Sequence, residues 1–153
     1  MNEPFVRDRG REWEHYFFGL QRESPFRQVQ YVDYESAVSQ LLNMQGNVFG
    51  LVPQYPVKAM TKSLIACTKE FLQLFGKPYN EVLRLYCALG TSLDMHHGID
   101  GFFVLGNRHI VTFDLTARLC GEKTSRKADV IIERSRCKSH EMWRVAKELA
   151  SRL

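Results

Sequence analysis

Apolar side chains recur at three- and four-residue spacing through the first part of the chain and gather into short, dense blocks later, which predicts helices first and a sheet second. The first 30 residues are weakly patterned, but Trp13, Tyr16, Phe17, Phe18 and Leu20 predict a short helix around 10–20. From Asp33 the spacing of Tyr34, Ala37, Val38, Leu41 and Leu42 is helical, with Asp33 placed to cap the start and Gly46 to end it. Glycine and proline then mark 46–56 as a loop. A second helix is expected over 57–75, with Met60, Leu64, Cys67, Phe71, Leu74 and Phe75 on one face and Gly76 and Pro78 closing it. A third is expected from the N-cap Asn80, with a stripe of Val82, Leu85, Tyr86, Leu89 and Leu93.

The pattern changes at Ile99. Ile99–Leu105 and His109–Thr116 are rich in strand formers, and Gly106-Asn107 between them suits a tight turn, so the two predict an antiparallel hairpin. Residues 118–126 are polar and basic and read as a loop, and Ala128–Glu133 reads as a third strand. Ser139 is placed to cap a closing helix over 139–152, with Met142, Val145, Ala146, Leu149 and Leu153 on its apolar face. The expected fold class is α+β: a helical N-terminal half followed by a small antiparallel β-meander flanked by helices. One domain is expected over 1–153, with 1–56 a helical extension and 57–153 an α-β-β-β-α core.

Composition narrows the class. With 153 residues, 44% hydrophobic and 25% charged, the chain can bury a core and does not have the make-up of a disordered segment. No apolar run approaches the roughly 20 residues of a bilayer span. The first residues lack the apolar stretch of a secretory leader, so a cytoplasmic protein with no membrane partner is expected. Cys67, Cys87, Cys120 and Cys137 lie far apart with no C-x-x-C pair, which predicts buried, reduced thiols. Lys and Arg number 21 against 17 Asp and Glu, a net charge of +4 that permits nucleic-acid binding without demanding it. The basic residues cluster: Arg7, Arg9 and Arg11, then Arg118, Lys123, Arg126, Lys127, Arg134, Arg136 and Lys138. Gathered on one groove they would suit phosphates; spread out they are a solvated surface. No P-loop, G-x-G-x-x-G, G-x-S-x-G or H-E-x-x-H is present, so no organic cofactor is expected.

The chemistry concentrates in His96-His97-Gly98-Ile99-Asp100-Gly101-Phe102-Phe103 and Phe113-Asp114-Leu115-Thr116. Asp100 begins one strand of the expected hairpin and Asp114 lies near the end of the next, so the two come close across an antiparallel ladder. Converging carboxylates are unfavourable unless a cation or a proton lies between them. Mg²⁺, or Mn²⁺ in its place, suits such oxygen ligands. Glu81, on the expected third helix, would extend the cluster if that helix crossed the sheet. His96 and His97 stand at the rim, with a phosphate contact the functional reading for His97 and a polar loop the structural one.

With these elements in this order, the segment 79–153 resembles the PD-(D/E)xK nuclease superfamily, the restriction-endonuclease-like fold. The resemblance implies Asp100 as the first acid, Asp114 as the second and Glu81 as the helical glutamate, all three as metal ligands and catalytic groups. It also implies a lysine two residues after Asp114, where this chain has Thr116. Lys127, with Lys123 behind it, is the expected displaced lysine, and Arg118, Lys123, Arg126, Lys127 and His97 the expected nucleic-acid contacts. The implied function is a Mg²⁺-dependent nuclease-like protein of the kind found in phages, acting on or binding nucleic-acid phosphodiesters, with DNA the expected partner. The alternative is a non-catalytic phage or mobile-element protein on the same eroded scaffold, binding nucleic acid or a protein. A structural subunit using the aromatic N-terminal half as a homodimer surface is the third reading.

Overall fold

Asp33 starts the first long helix as its position requires. Its carboxylate accepts from Ser36 N–H at 3.2 Å, and α1 runs Tyr34–Asn43 with Ala37, Val38 and Leu41 buried. The fold is that of a computed structural model in which residues 12–14, 16–18, 29–43, 59–78, 81, 83–106, 109–116, 128–138 and 140–153 are described. The expected end of α1 at Gly46 and the loop 46–56 lie outside those residues.

Helix α2 spans Ala59–Leu74 and closes as glycine there predicts. Gly76 sits at φ +69°, its N–H donates to Gln73 O at 3.1 Å, and Lys77 N–H donates to Leu72 O at 2.9 Å. This paired closure uses the left-handed conformation that glycine adopts without strain. Thr61, Leu64, Thr68 and Leu72 are the buried residues of α2, with Met60, Cys67 and Phe71 packed beside them. Leu74 and Phe75 stay exposed, so the expected stripe ends one turn early.

The expected third helix is a strand. Leu83–Cys87 forms β1, paired antiparallel with β2, Gly101–Leu105, from Leu83 opposite Leu105 to Cys87 opposite Gly101. From Leu83 to Leu89 the chain is apolar at every position but Arg84, so a helical stripe can be picked from it as easily as a strand. Burial on both sheet faces decides the matter: Leu83, Leu85 and Cys87 enter one core while Tyr86 and Ala88 enter the other. Leu93, assigned by its spacing to the same helix, belongs instead to a short helix α3, Ser92–His97.

The hairpin forms as expected, with β2 antiparallel to β3, His109–Thr116, from Gly101 opposite Phe113 to Leu105 opposite His109. The last strand differs. β4, Val130–Glu133, lies parallel to β3, from Phe113 opposite Val130 to Thr116 opposite Glu133. The sheet is thus four-stranded and mixed, in the order β1-β2-β3-β4, not a three-stranded antiparallel meander. Parallel neighbours need a long connection, and the residues between Thr116 and Val130 supply one. Asp129 locks the register: its Oδ2 accepts from Thr112 N–H at 3.0 Å and from the Thr112 hydroxyl at 3.1 Å, while its own N–H donates to Thr112 Oγ1 at 3.0 Å.

Helices cover both faces. On one, α2 and α5, Met142–Arg152, pack with Trp13, Phe17 and Phe18 against Phe103, Phe113, Leu115 and Ile132. On the other, α1 packs Ala37, Val38 and Leu41 over Tyr86, Phe102 and Val104. Within the expected extension, Trp13, Phe17, Phe18, Ala37, Val38 and Leu41 are therefore core. Trp13 Nε1–H donates to Ile132 O at 3.3 Å and the Thr61 hydroxyl donates to Phe17 O at 2.7 Å, which ties the N-terminal helical residues to β4 and α2. The closing helix is interrupted: α4, Arg134–Lys138, precedes α5, whose first cap is Glu141, and Ser139 lies outside the described residues.

Lys77 fastens the ends of α2 and α5 together, its Nζ donating to Ala150 O at 2.9 Å and Ser151 O at 2.8 Å. A cation there also meets the negative end of the helix dipole. Lys77→Met is expected to cost about 1–2 kcal/mol, a charged hydrogen bond at a helix end. Thermal melting checks this, and an unchanged midpoint would show the bonds to be worth nothing net.

Candidate acidic site at the open end of the hairpin

Gly101 opposite Phe113 is the last pair of the β2–β3 ladder. Beyond that pair the backbone leaves the register: Asp100 N–H donates to Phe113 O at 3.0 Å, while Asp100 O accepts from Ala88 N–H at 2.8 Å. Asp100 is held between β1 and β3 and is buried, with 4% of its surface exposed. Its carboxylate turns across the strand end, where Oδ2 accepts the Leu115 N–H at 2.7 Å. Asp114 is half-buried on the face of β3 that also carries Thr112 and Thr116. Asp100 and Asp114 thus both stand toward the open end of the hairpin.

Two further acids join Asp100 that the sequence reading passes over. Asp94, on α3, accepts the Gly90 N–H at 2.8 Å and shares a side-chain hydrogen bond with Asp100. Glu14, among the N-terminal helical residues, acts on Asp100 through its charge. Burial pushes the Asp100 carboxyl well above the usual carboxylate range, with the charges of Glu14 and Asp94 adding to the rise and the Leu115 N–H opposing it. Burial raises Asp94 as well, against the pull of the Gly90 N–H and of Asp100. In this pair Asp100 is the carboxyl that keeps a proton and Asp94 the one that accepts it. The signal for Asp94 was an acid between Gly90 and Gly98, hidden when the expected third helix was carried across it. Glu14 was hidden in an aromatic run whose apolar neighbours draw the eye to packing.

The other expected site residues fall elsewhere. Glu81 is exposed and lies against Gly106, at the turn end of the hairpin. Six residues of extended chain separate Gly106 from Asp100, about 20 Å. Glu81 therefore does not join the acids, because it precedes a strand that starts at the turn end of the hairpin and reaches the Asp100 end only at Cys87, and no helix carries it across the sheet. His97 is half-buried, and its Nε2 is bonded to Val32 O at 2.7 Å, as that of His96 is to Val29 O at 2.7 Å. The Tyr31 ring packs against both imidazoles at centroid distances of 5.6 and 5.4 Å. The two histidines strap residues 29–32 onto α3, which is a structural role. Arg118, Lys123, Arg126 and Lys127 lie outside the described residues. Cys87 and Cys137 are buried, reduced thiols, with burial pushing Cys137 up to about 12 and Cys87 upward too. Cys67 is reduced and half-buried, and Cys120 lies outside the described residues.

No described helix is long and apolar enough to cross a membrane. Among the described residues no three His, Cys, Asp or Glu side chains are gathered so as to hold a metal ion by themselves. No protein-family model, no curated protein and no solved structure matches this chain.

Proposed function

We propose that this chain is a metal-dependent nuclease-like protein that acts on nucleic-acid phosphodiesters. The observation that carries the reading is the burial of Asp100 among the like charges of Glu14 and Asp94, at the open end of a hairpin whose second strand carries Asp114. Such an arrangement favours a cation, and the donor set, carboxylate oxygen throughout, fits Mg²⁺ or Mn²⁺. Mg²⁺ commonly takes one or two carboxylates and completes its shell with water and substrate phosphate, so a full cage of protein ligands is not required. Asp100 and Asp114 would hold it, and a carboxylate oxygen that accepts the Leu115 N–H keeps lone pairs for a ligand. When bound, the ion lowers the pKa of its water and neutralises charge on the phosphate. The protein's own part is orientation: Leu115 N–H fixes the Asp100 carboxyl, and Asp94, itself anchored on Gly90, supports it from behind. Glu81 has no part in this assignment. Arg118, Lys123, Arg126 and Lys127, the basic residues proposed to meet nucleic acid, follow Thr116 in the sequence.

A non-catalytic protein on the same scaffold is the second reading, and Thr116 favours it. This residue is buried, and it stands two residues after Asp114, where the resemblance implies a lysine. A nucleic-acid binder that requires the cation but leaves its ligand intact would meet that reading.

Melting curves with Mn²⁺ test the cation. At one hundred times its dissociation constant, Mn²⁺ is expected to stabilise the wild type by about 2.7 kcal/mol, a rise of roughly 5–10 °C, and to leave Asp114→Ala unmoved. Identical curves with and without the metal in both proteins would remove the catalytic reading.

A further inference from the structure

With 6 residues, α3 is well below the roughly dozen that a helix needs to persist unaided, so it depends on what grips it. Its N-cap, Thr91, makes no side-chain cap bond, and the Thr91 hydroxyl donates instead to Ala88 O at 2.6 Å. On the sheet side Leu93 is fully buried, and its carbonyl accepts from Ile99 N–H at 3.1 Å. On the other side the grip comes from Val32. Its N–H donates to Ser92 Oγ at 2.8 Å, its carbonyl accepts from the Ser92 hydroxyl at 3.2 Å, and the same carbonyl bonds His97 Nε2 at 2.7 Å. Ser92 and His97 are the first and last residues of α3, so one residue outside the helix holds both of its ends. A carbonyl oxygen only accepts, which puts a proton on His97 Nε2 and makes the imidazole the donor. The Tyr31 and Tyr34 rings flank that imidazole at centroid distances of 5.4 and 6.2 Å. Between the two gripped ends lies Asp94, whose carboxylate accepts from Gly90 N–H and shares a hydrogen bond with Asp100. Val32 and the buried acid are thus joined through a helix of less than two turns.

We propose that His97 and Ser92, by gripping Val32, are positioning residues of the acidic site: they fix Asp94, and through it the Asp100 carboxylate, for the cation. The proposal rests on the cation reading and adds to it an element that sets the strength of metal binding. Without the grip, Leu93 still anchors α3 to the sheet, but the side that faces Val32 is released and Asp94 moves with it. Asp100 then keeps the Leu115 N–H and loses a fixed partner. Groups that orient a metal-binding side chain from behind govern affinity without touching the ion.

The test titrates Mn²⁺ into the full chain and reads, from melting curves, the concentration that gives half of the full stabilisation. His97→Ala is expected to raise that concentration about tenfold. His97→Gln sets an amide N–H near the place of the Nε2–H and is expected to restore most of the response. Ser92→Ala removes the hydroxyl at the other end of α3, is expected to shift the response in the same direction, and carries the test if His97→Ala does not fold. Lys77→Met removes hydrogen bonds between α2 and α5 and is expected to lower stability with the Mn²⁺ concentration unchanged, which separates positioning from general loosening. In an Asp94→Ala background, His97→Ala is expected to have no further effect on the response, because the route runs through Asp94. A response in His97→Ala and Ser92→Ala equal to that of Lys77→Met would overturn the positioning role while the cation reading stood. A full additional loss in the Asp94→Ala background would overturn the route through Asp94. Wild-type protein that does not respond to Mn²⁺ would overturn the cation reading and the proposal with it.

Discussion

Gly101→Ala is expected to destabilise the fold by about 3 kcal/mol, lowering the melting temperature by roughly 10 °C. A Cβ at this position would lie 2.6 Å from Phe113 Cζ, 2.6 Å from Tyr86 O and 2.7 Å from Phe18 Cζ. Two of these atoms belong to packed rings and the third to backbone of the paired strand β1, so no flexible group can yield. The Phe18 and Phe113 rings stack at 5.9 Å, and Phe17 meets both at 5.3 Å, which makes the site the junction of the N-terminal helical residues with the sheet. Moving that junction also moves Glu14 relative to Asp100, so the response to Mn²⁺ should weaken along with stability. Gly76→Ala is the matched control. A Cβ there meets nothing within 4 Å, so only the strain of φ +69° remains, on the order of 1 kcal/mol. Similar, small losses in both variants would mean that the close approach at Gly101 relaxes freely, and the packing account of this junction would fail.

How much of this was legible in the sequence depends on where period and burial agree. The two helices with one apolar stripe and clear caps, α1 and α2, are where their spacing sets them, because a polar far face keeps the 3.6-residue signal visible. The hairpin was legible through its β-branched and aromatic residues, and with it the strands that carry Asp114 and follow Asp100. β1 was not. A strand buried on both faces loses its alternation, and Val82 to Leu89 then carries no period that separates strand from helix. That one misassignment misplaced Glu81 and concealed Asp94, since both were judged by a helix that is absent. The parallel pairing of β4 was hidden for another reason. Strand direction is set by the connection and by the Thr112–Asp129 lock, neither of which leaves a mark in hydropathy. Trp13, Phe17 and Phe18 are core residues, but their partners, Phe113 and Ile132, lie some hundred residues away and only the fold names them.

Asp100→Asn is expected to flatten the pH dependence of stability and to make the protein more stable than wild type at pH 7–8. Burial first, then the charges of Glu14 and Asp94, raise the folded-state pKa of Asp100, and burial raises that of Asp94. The folded chain therefore keeps protons that the unfolded chain releases above a pH of about 4. Their contribution is fully present below the unfolded value and is lost as pH rises through the folded one, so wild-type stability should fall over that range. Asparagine needs no proton to do the same hydrogen bonding: its amide can donate to Asp94 while its oxygen accepts from Leu115. Asp100→Ala instead leaves a buried N–H unpaired and is expected to lose roughly 1–3 kcal/mol at every pH. Melting curves from pH 4 to 8 decide the matter, read as differences between variants so that contributions common to both cancel. A wild-type curve parallel to that of Asp100→Asn would show that the acid cluster carries no strain. Adding Mn²⁺ at pH 8 should recover stability in the wild type, where the ion takes over from the proton, and not in Asp100→Asn. If folding were the sole role of residue 100, asparagine would serve it better than aspartate. A variant that gains stability at neutral pH and loses the response to metal would therefore assign the carboxylate at Asp100 to function.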